Sequence, residues 1–177
     1  GVDMLRFCPL SRSESRGKLG LSRDGKLVLF PAASGREEKS FRLAKEAFRL
    51  FAKSSPGAVM LVGGQIDYNL IHFYINACDV VLLTSEFESS PMVVKEALCC
   101  NVPVVSTEIG DVRHLFGNLR GCFICQSEPK EIASALSRAC GLGSIDGRAH
   151  PENSGLGEEA VGEEIMSIHE SCEGRSS

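Results

Sequence analysis

The 177-residue chain is predicted to be an α/β protein, built as a doubly wound parallel sheet of about five strands. Two observations support this. Short apolar runs rich in β-branched residues alternate along the chain with amphipathic stretches of helical period, and the connections between them are short. The run at 80–83 is apolar throughout, which is typical of a strand buried on both faces of a parallel sheet.

Each element follows from its local pattern. The predicted strands are at 26–33, 58–62, 79–83, 102–106 and 122–125. The predicted helices are at 40–53, 69–76, 91–101, 111–116 and 129–140. The clearest helical period is that of Phe41, Ala44, Phe48 and Phe51, which gives one apolar face to pack on the sheet.

Helix ends are marked by residues with special backbone properties. Pro91 suits a first helical turn, because the N–H that it lacks would have no partner inside the helix. Asn101 tolerates the left-handed conformation that often closes a helix. These two residues bound the predicted helix at 91–101.

The pattern weakens after Cys140. Residues 1–140 are therefore predicted to form one domain, and the glycine-rich stretch 141–157 a loop or linker. A last helix is predicted over 158–172 and a flexible tail over 173–177.

Composition excludes several classes of protein. Hydrophobic residues make up 43% and charged residues 24% of the chain, which is typical of a globular domain and unlike a disordered or collagen-like chain. No apolar run approaches the roughly 18 residues that cross a bilayer. The net charge of −4 provides no overall basic field, so no nucleic-acid partner is expected.

The cysteines and histidines predict no metal or redox centre. Cys122-x-x-Cys125 is a single pair on a predicted strand, with neither a second pair nor the spaced histidines of a zinc site. The eight cysteines are expected to be reduced, because several lie inside apolar runs. The four histidines are scattered along the chain and form no triad with a serine.

Two loops at the carboxyl ends of predicted strands carry candidate binding residues, and ligands of open parallel sheets bind at that edge. The loop after the first strand contains Gly35, Arg36 and Lys39 just before a helix, an arrangement suited to a phosphate group. Exposed surface charge is the alternative interpretation, since Glu37 and Glu38 lie beside both cations.

The second loop follows the strand at 79–83. It contains Glu88 and the small residues Ser89 and Ser90, and the helix after it offers the first-turn N–H groups of Met92 and Val93 to an anion.

Glu96 follows Glu88 by eight residues, a distance of up to about 12 Å along a helix. This span suits a two-ended ligand, with a diphosphate at the helix start and a diol at each carboxylate. The alternative is that Glu88 merely favours the helix dipole and that Glu96 is a solvated surface charge.

Glu88-x7-Glu96, in the form E-S-S-P-M-V-V-K-E-A-L, resembles the signature of the retaining glycosyltransferases of group 1, family four, which have the GT-B fold. The resemblance covers roughly residues 1–140. It extends to further short motifs: Gly1-Val2-Asp3 with Phe7-x-Pro9, Arg16-x-x-Leu19-Gly20-Leu21, Tyr74-x-x-Ala77-x-Asp79, Val102-Pro103-Val104-Val105-Ser106 and Gly110-Asp111-Val112.

The resemblance implies that this chain is the carboxyl-terminal, nucleotide-sugar-binding domain, the Rossmann-like half of a GT-B fold. It assigns catalytic roles to Arg36 and Lys39 at the phosphates and to Glu88 at the donor sugar. Glu96 would bind the ribose, with Ser89, Ser90, Met92 and Val93 completing the donor site. The implied reaction retains anomeric configuration and is metal-independent. The resemblance implies no cofactor, and the nucleotide-diphosphate sugar is the donor substrate.

The resemblance also implies a partner domain. An amino-terminal, acceptor-binding domain of the same full-length protein would complete the catalytic cleft, in a cytoplasmic enzyme that could be peripheral to a membrane and use a membrane-associated acceptor. Two other functions stay open at this point: a nucleotide-sugar epimerase of the same architecture, and a non-catalytic nucleotide-binding module.

One segment departs from the family pattern. Only 14 residues separate Gly64 from Asp79, too few for the helix, strand and second helix usual there. In the family, backbone of this segment commonly recognises the base. The sequence therefore does not assign the donor as a uridine, guanosine or adenosine sugar.

Overall fold

The computed structural model describes residues 1–150, 155–157, 160–162 and 166. Its centre is one parallel sheet of five strands in the order β2-β1-β3-β4-β5. The strands are β1 (Leu27–Phe30), β2 (Val59–Val62), β3 (Val80–Leu83), β4 (Val104–Thr107) and β5 (Cys122–Cys125). The α-helices are α1 (Arg12–Lys18), α2 (Phe41–Ser54), α3 (Ile71–Ala77), α4 (Met92–Cys99), α5 (Val112–Phe116) and α6 (Pro129–Leu142).

Helices cover both faces of the sheet, as the alternating side chains of its central strands show. Val28 and Phe30 of β1 pack in one core cluster with buried residues of α2 and α6. Leu27 and Leu29 point to the other face, where the core includes residues of α3, α4 and α5. The predicted doubly wound, Rossmann-like sheet is confirmed.

Most observed element ends lie within a few residues of the predicted ones. The first strand is shorter than predicted and ends at Phe30, just before Pro31, which has no N–H to donate to a sheet ladder. Asn101 has a φ of +58°, the left-handed conformation predicted at the end of α4. The helix α1 was not predicted, because its seven residues are polar and carry no apolar period.

The predicted loop at 141–157 is described at 141–150 and 155–157, whereas most of the predicted helix and tail after it lies outside the described residues. Helix α6 runs to Leu142, two residues beyond its predicted end. Within the predicted helix 158–172, residues 160–162 and 166 are described, and these are helical. The remainder of that helix and the predicted tail at 173–177 lie outside the description.

The amino-terminal edge of the sheet is held by a buried carboxylate, Asp79, which comes just before β3. Its oxygens lie 2.8 Å from Arg16 Nη2, 3.1 Å from Arg12 Nη1 and 3.3 Å from Lys26 Nζ. They also accept a 2.9 Å hydrogen bond from the backbone N–H of Leu27. This network joins the two motifs that contain Arg16 and Asp79, and it lies at the edge opposite to the candidate site.

The seven described cysteines are free thiols. Cys122 and Cys125 are the two ends of β5, and burial raises their pKa to about 12 and about 11. The described residues contain no group of three or more His, Cys, Asp or Glu side chains that could hold a metal ion. Among the same residues, no helix has the length and apolar character of a membrane span.

Candidate functional site

A cleft of about 230 Å³ opens where β1 and β3 end, at the carboxyl edge of the sheet. Its polar lining comes from Arg36, Lys39, Thr84, Ser85 and Glu88. Its apolar lining comes from Phe30, Pro31, Ala32, Leu82, Leu83, Met92 and Val93. The two predicted loops therefore meet at one cleft, as expected for an open parallel sheet.

Lys39 ends a short 3₁₀ turn, Glu37–Lys39, that leads into α2. Its Nζ lies 2.9 Å from Oε1 of Glu88, and only 16% of the Lys39 side chain is exposed. Thr84, which follows β3, fixes the Lys39 backbone, because its hydroxyl donates to the Lys39 carbonyl at 2.9 Å. The cation is thereby anchored to the end of the neighbouring strand.

Arg36 lies at the more open side of the same cleft. Its guanidinium contacts Oε1 of Glu38 at 2.6 Å, and 60% of the Arg36 side chain is exposed. A backbone hydrogen bond and the neighbouring Arg36 and Lys39 charges lower the pKa of Glu38. An exposed pair of this kind contributes little to stability, so the Arg36 side chain can reorient toward an anion at small cost.

Glu88 is positioned by its own loop. The Ser85 hydroxyl donates to Glu88 Oε1 at 2.6 Å, and the Ser85 carbonyl accepts a 2.7 Å hydrogen bond from the hydroxyl of Thr107 on β4. Only 21% of the Glu88 side chain is exposed. The carboxylate therefore faces the cleft with two partners, Lys39 and Ser85.

The backbone of this loop packs against Gly110. A Cβ at Gly110 would lie 2.7 Å from the Glu88 carbonyl oxygen and nearer still to that of Ser89, and the φ of Gly110 is +48°. Only glycine accepts both constraints without strain. The missing side chain of Gly110 thus allows the backbone of the Glu88 loop to pack closely against it.

Ser89 and Ser90 are not among the residues that line the cleft. Ser89 is exposed, whereas the Ser90 hydroxyl donates to Oδ2 of Asp111 at 2.5 Å. Lys95 Nζ lies 3.7 Å from the same Asp111 oxygen. In this structure the two serines shape the loop between Glu88 and the helix.

The start of α4 faces the cleft through Met92 and Val93. The residue before the helix, Pro91, makes no side-chain cap, and its carbonyl accepts the Val94 N–H at 3.0 Å. The first-turn N–H groups of Met92 and Val93 are therefore the ones open to an external acceptor. This helix end, Lys39 and Arg36 are the donors that the cleft offers to an anionic ligand, beside the carboxylate of Glu88.

Glu96 lies one turn into α4 and is 7% exposed. Burial raises the pKa of its carboxyl to about 7, and the positive charge of Arg6 opposes part of that rise. Glu96 is not part of the cleft lining. The structure therefore brings Arg36, Lys39, Glu88, Met92 and Val93 to one cleft, with Glu96 deeper along the same helix.

Four residues that support this region are not predicted as site residues by the sequence. Thr84 and Ser85 have only the pattern of small loop residues, and Gly110 is one part of a motif. Arg6 lies 90 residues before Glu96 in the chain and carries no local signal. Gly110 could have been identified from the sequence, because a glycine in a short motif often marks a place where another part of the backbone packs closely.

Part of the chain matches a known protein family. Residues 56–143 match the sequence model of the family described as glycosyl transferases group 1. The matched segment contains β2 to α6 and both acidic residues of the candidate site.

A relative and two solved structures are similar to the chain over most of its length. A proposed teichuronic acid biosynthesis glycosyltransferase of Bacillus subtilis (strain 168), TuaC, is 31% identical over 155 residues, covering 78% of this chain and 39% of TuaC. Sucrose-phosphate synthase from Thermosynechococcus elongatus shares the fold with a TM-score of 0.80 at 17% identity, covering 99% of this chain and 52% of the synthase.

The second structure is Anabaena Alr3699/HepE in complex with UDP-glucose. Its TM-score is 0.75 at 17% identity, and the similarity covers 97% of this chain and 56% of HepE. This chain spans about two fifths of the length of the curated relatives that it matches.

Proposed function

We propose that this chain is the donor-binding domain of a retaining glycosyltransferase of group 1, family four, which transfers a sugar from a nucleotide-diphosphate sugar to an acceptor. The observation that carries the proposal is the meeting of Lys39, Arg36, Glu88 and the start of α4 at one cleft. Two cations and free helix N–H groups suit a diphosphate, and a carboxylate beside them suits sugar hydroxyls. The UDP-glucose complex of HepE, a protein of the same fold, supports this class of ligand.

Each site residue has a role in the proposal. Arg36 and Lys39 hold the diphosphate together with the N–H groups of Met92 and Val93. Glu88 accepts hydrogen bonds from the donor sugar, and Glu96 accepts them from the ribose. Ser89 and Ser90 contribute to the donor site through the loop that carries Glu88.

The chemistry follows from charge. When the bond between the anomeric carbon and the phosphate oxygen breaks, negative charge develops on the departing diphosphate, and fixed cations stabilise that charge in the transition state. An acceptor hydroxyl oxygen then takes the place of the phosphate oxygen at the anomeric carbon, and the hydroxyl proton passes to the departing diphosphate. No step of this scheme draws on a metal ion or cofactor.

The complete protein is proposed to have a second, amino-terminal domain that binds the acceptor and closes the cleft. The proposal extends to a cytoplasmic enzyme, peripheral to a membrane where its acceptor is membrane-associated. In such an enzyme the donor half binds the nucleotide sugar, and transfer needs both halves.

The experiment is a calorimetric titration of the purified chain with UDP-glucose, GDP-mannose and ADP-glucose. We expect one of the three to bind at a single site, and Lys39→Met to weaken that binding by roughly 10- to 100-fold, because a hydrogen bond to a charged group contributes about 1.5–3 kcal/mol. Lys53→Met is the matched control, since Lys53 is an exposed lysine at the far end of α2. Its binding is expected to equal that of the wild type.

Three outcomes would contradict the proposal. If no nucleotide sugar binds, or if Lys39→Met and Lys53→Met bind equally well, the cleft is not a donor site. If the chain with donor alone releases an epimerised sugar nucleotide, the reaction is epimerisation and not transfer.

A further inference from the structure

The strand β2 forms one edge of the sheet and is its least covered strand. Every residue of β1, β3 and β4 is buried, whereas no residue of β2 is. Val59 and Val62, at the two ends of β2, are 47% and 38% exposed. Two valines open to solvent on an edge strand give an apolar surface that a further strand can extend.

The backbone of β2 offers polar groups along this open edge. The Val59 N–H donates to the Lys26 carbonyl at 2.8 Å, and all four residues of β2 pair with β1 in parallel register. In a parallel ladder, successive residues direct their N–H and carbonyl groups to opposite sides of the strand. Val59 and Leu61 therefore direct theirs to β1. Met60 and Val62 direct theirs outward, where the described part of the chain has no further strand.

Edge strands are commonly protected against pairing by charged side chains, by a proline within the strand or by a β-bulge. β2 has none of these three. Residues 54–66 include no Asp, Glu, Lys or Arg, and the proline of this segment, Pro56, precedes the strand. The register with β1 is continuous over all four residues, without a bulge. At the other edge of the sheet, in contrast, the Arg138 guanidinium carbon lies 4.4 Å from the centroid of the Phe123 ring on β5.

We infer that β2 is an association surface for a second copy of this chain, in which the two β2 strands pair antiparallel across a two-fold axis. An axis at Leu61 places Met60 of one copy opposite Val62 of the other. Each of these residues then donates its outward N–H and accepts at its outward carbonyl. The two five-stranded sheets join into one sheet of ten strands.

The charge and the hydrogen-bonding groups of this edge favour a second copy as its occupant. A charged partner finds no opposite charge along residues 54–66, whereas two copies meet there without like-charge repulsion. The edge carries donors and acceptors in equal number, so it is complementary to itself. Because β2 has only four residues, we expect a weak, reversible dimer, with a dissociation constant on the order of 10–100 μM, as for interfaces below about 1,200 Å².

Sedimentation equilibrium of the wild-type chain over about 5–500 μM tests the association. We expect the average mass to rise from that of one chain toward that of two. Hydrogen exchange then locates the contact. The amides of Met60 and Val62 are expected to exchange more slowly at high concentration, while that of Leu61, which already faces β1, is unchanged.

Charge variants test the pairing of the two strands. Across the two-fold axis the two copies of position 62 are diagonal neighbours on one face of the sheet, within reach of long side chains. Val62→Lys alone, or Val62→Glu alone, is expected to weaken association by roughly 10-fold or more, because like charges meet. An equimolar mixture of the two variants is expected to associate within about 3-fold of the wild type, because opposite charges now meet.

The matched control is Phe87→Lys. Phe87 is 80% exposed in the loop after β3, and β1 separates β3 from β2 in the sheet. The added charge is the same as in Val62→Lys, but it lies away from the proposed surface. Association of Phe87→Lys is therefore expected to stay within about 2-fold of the wild type.

Several results would overturn the inference. One is a wild type that keeps the mass of a single chain over the whole range. Another is equal association of Val62→Lys and Phe87→Lys, or a mixture of the two charged variants that associates as weakly as each alone. A dimer whose Met60 and Val62 amides exchange as fast as in the monomer would pair through another face. Since no nucleotide sugar is used, these results are independent of the proposed donor site.

Discussion

Lys39 and Glu88 form an ion pair, with Nζ 2.9 Å from Oε1, although the proposed function gives them different parts of one ligand. A diphosphate that bonds Lys39 has to compete with the Glu88 carboxylate, which is also an anion. The sugar, in contrast, gains from Glu88 by donating its hydroxyls. The pair therefore sets the balance between binding of the complete donor and binding of the diphosphate product.

The first prediction uses this balance. In Glu88→Gln, Lys39 is released from a charged competitor, so the nucleoside diphosphate is expected to bind severalfold tighter, while the nucleotide sugar loses a charged hydrogen-bond acceptor. We expect the ratio of the two dissociation constants to shift by roughly 10-fold toward the diphosphate, as measured by calorimetry.

The control for this prediction is Glu86→Gln. Glu86 is an exposed carboxylate of the same loop, bonded to Ser40 and absent from the cleft lining. If the ratio of the dissociation constants of nucleotide sugar and nucleoside diphosphate were the same in the wild type and Glu88→Gln, Glu88 would not contact the sugar.

The second prediction concerns pH. Burial raises the pKa of Glu96 from 4.5 to about 7, so between these values the native protein keeps a proton that the unfolded chain has lost. The free energy of unfolding should therefore fall as pH rises from about 4.5 to about 7, by an amount on the order of 3 kcal/mol, and level off above that range.

Urea unfolding of the wild type and Glu96→Gln at several pH values checks this. Since Gln cannot ionise, the difference in free energy of unfolding between the two proteins should grow in favour of Glu96→Gln as pH rises to about 7. A difference that is constant over this range would mean that the Glu96 carboxyl is not buried as described.

The third prediction concerns the opposite edge of the sheet. Removing the carboxylate in Asp79→Ala leaves the buried Arg16 guanidinium without its charged partner and the Leu27 N–H without its acceptor. We expect a loss of about 3–5 kcal/mol in the free energy of unfolding, measured with urea.

Glu108→Gln is the matched control for Asp79→Ala, because Glu108 pairs with Arg113 at the exposed surface. Its cost is expected to be within about 1 kcal/mol. If both variants lost the same stability, the Asp79 network would have no special structural role.

The fourth prediction concerns Gly110. In Gly110→Ala the new Cβ would collide with the backbone of Glu88 and Ser89, and the positive φ would add strain. We expect a loss of about 1–3 kcal/mol in stability together with weaker nucleotide-sugar binding, since the Glu88 loop has to move.

Gly141→Ala provides the comparison. Gly141 lies in α6, and a Cβ there would have no neighbouring atom within 4 Å, so alanine is expected to be neutral or stabilising by up to about 1 kcal/mol. Nucleotide-sugar binding by Gly110→Ala at wild-type strength would contradict the proposed dependence of Glu88 on this close contact.

The sheet could be predicted well from the sequence because the information that specifies it is local. Apolar runs such as 80–83 and the period of Phe41, Ala44, Phe48 and Phe51 follow directly from burial, and the structure confirms those elements. The short polar helix α1 was not predicted. It is stabilised by the contact of Arg16 with Asp79, which lies 63 residues further along the chain. Such long-range contacts produce no periodic pattern of apolar residues in the sequence.

In the candidate site, too, the features set by local patterns could be predicted and those set by long-range contacts could not. The meeting of Arg36, Lys39 and Glu88 could be predicted, since all three follow strands at one edge of a parallel sheet. Two other contacts could not be predicted: the hydrogen bond from the Thr84 hydroxyl to the Lys39 carbonyl, and the effect of the Arg6 charge on Glu96. Both join segments that are distant in the chain. Neither contact has a counterpart in the local pattern of residues.

The most direct test of the donor site is nuclear magnetic resonance of the ¹⁵N-labelled chain titrated with the nucleoside diphosphate that binds best. We predict saturable shifts of the Met92 and Val93 amides at the start of α4, with Leu27 at the opposite edge unchanged. Saturable shifts confined to residues away from Lys39 and the start of α4, or no shifts at all, would contradict the account.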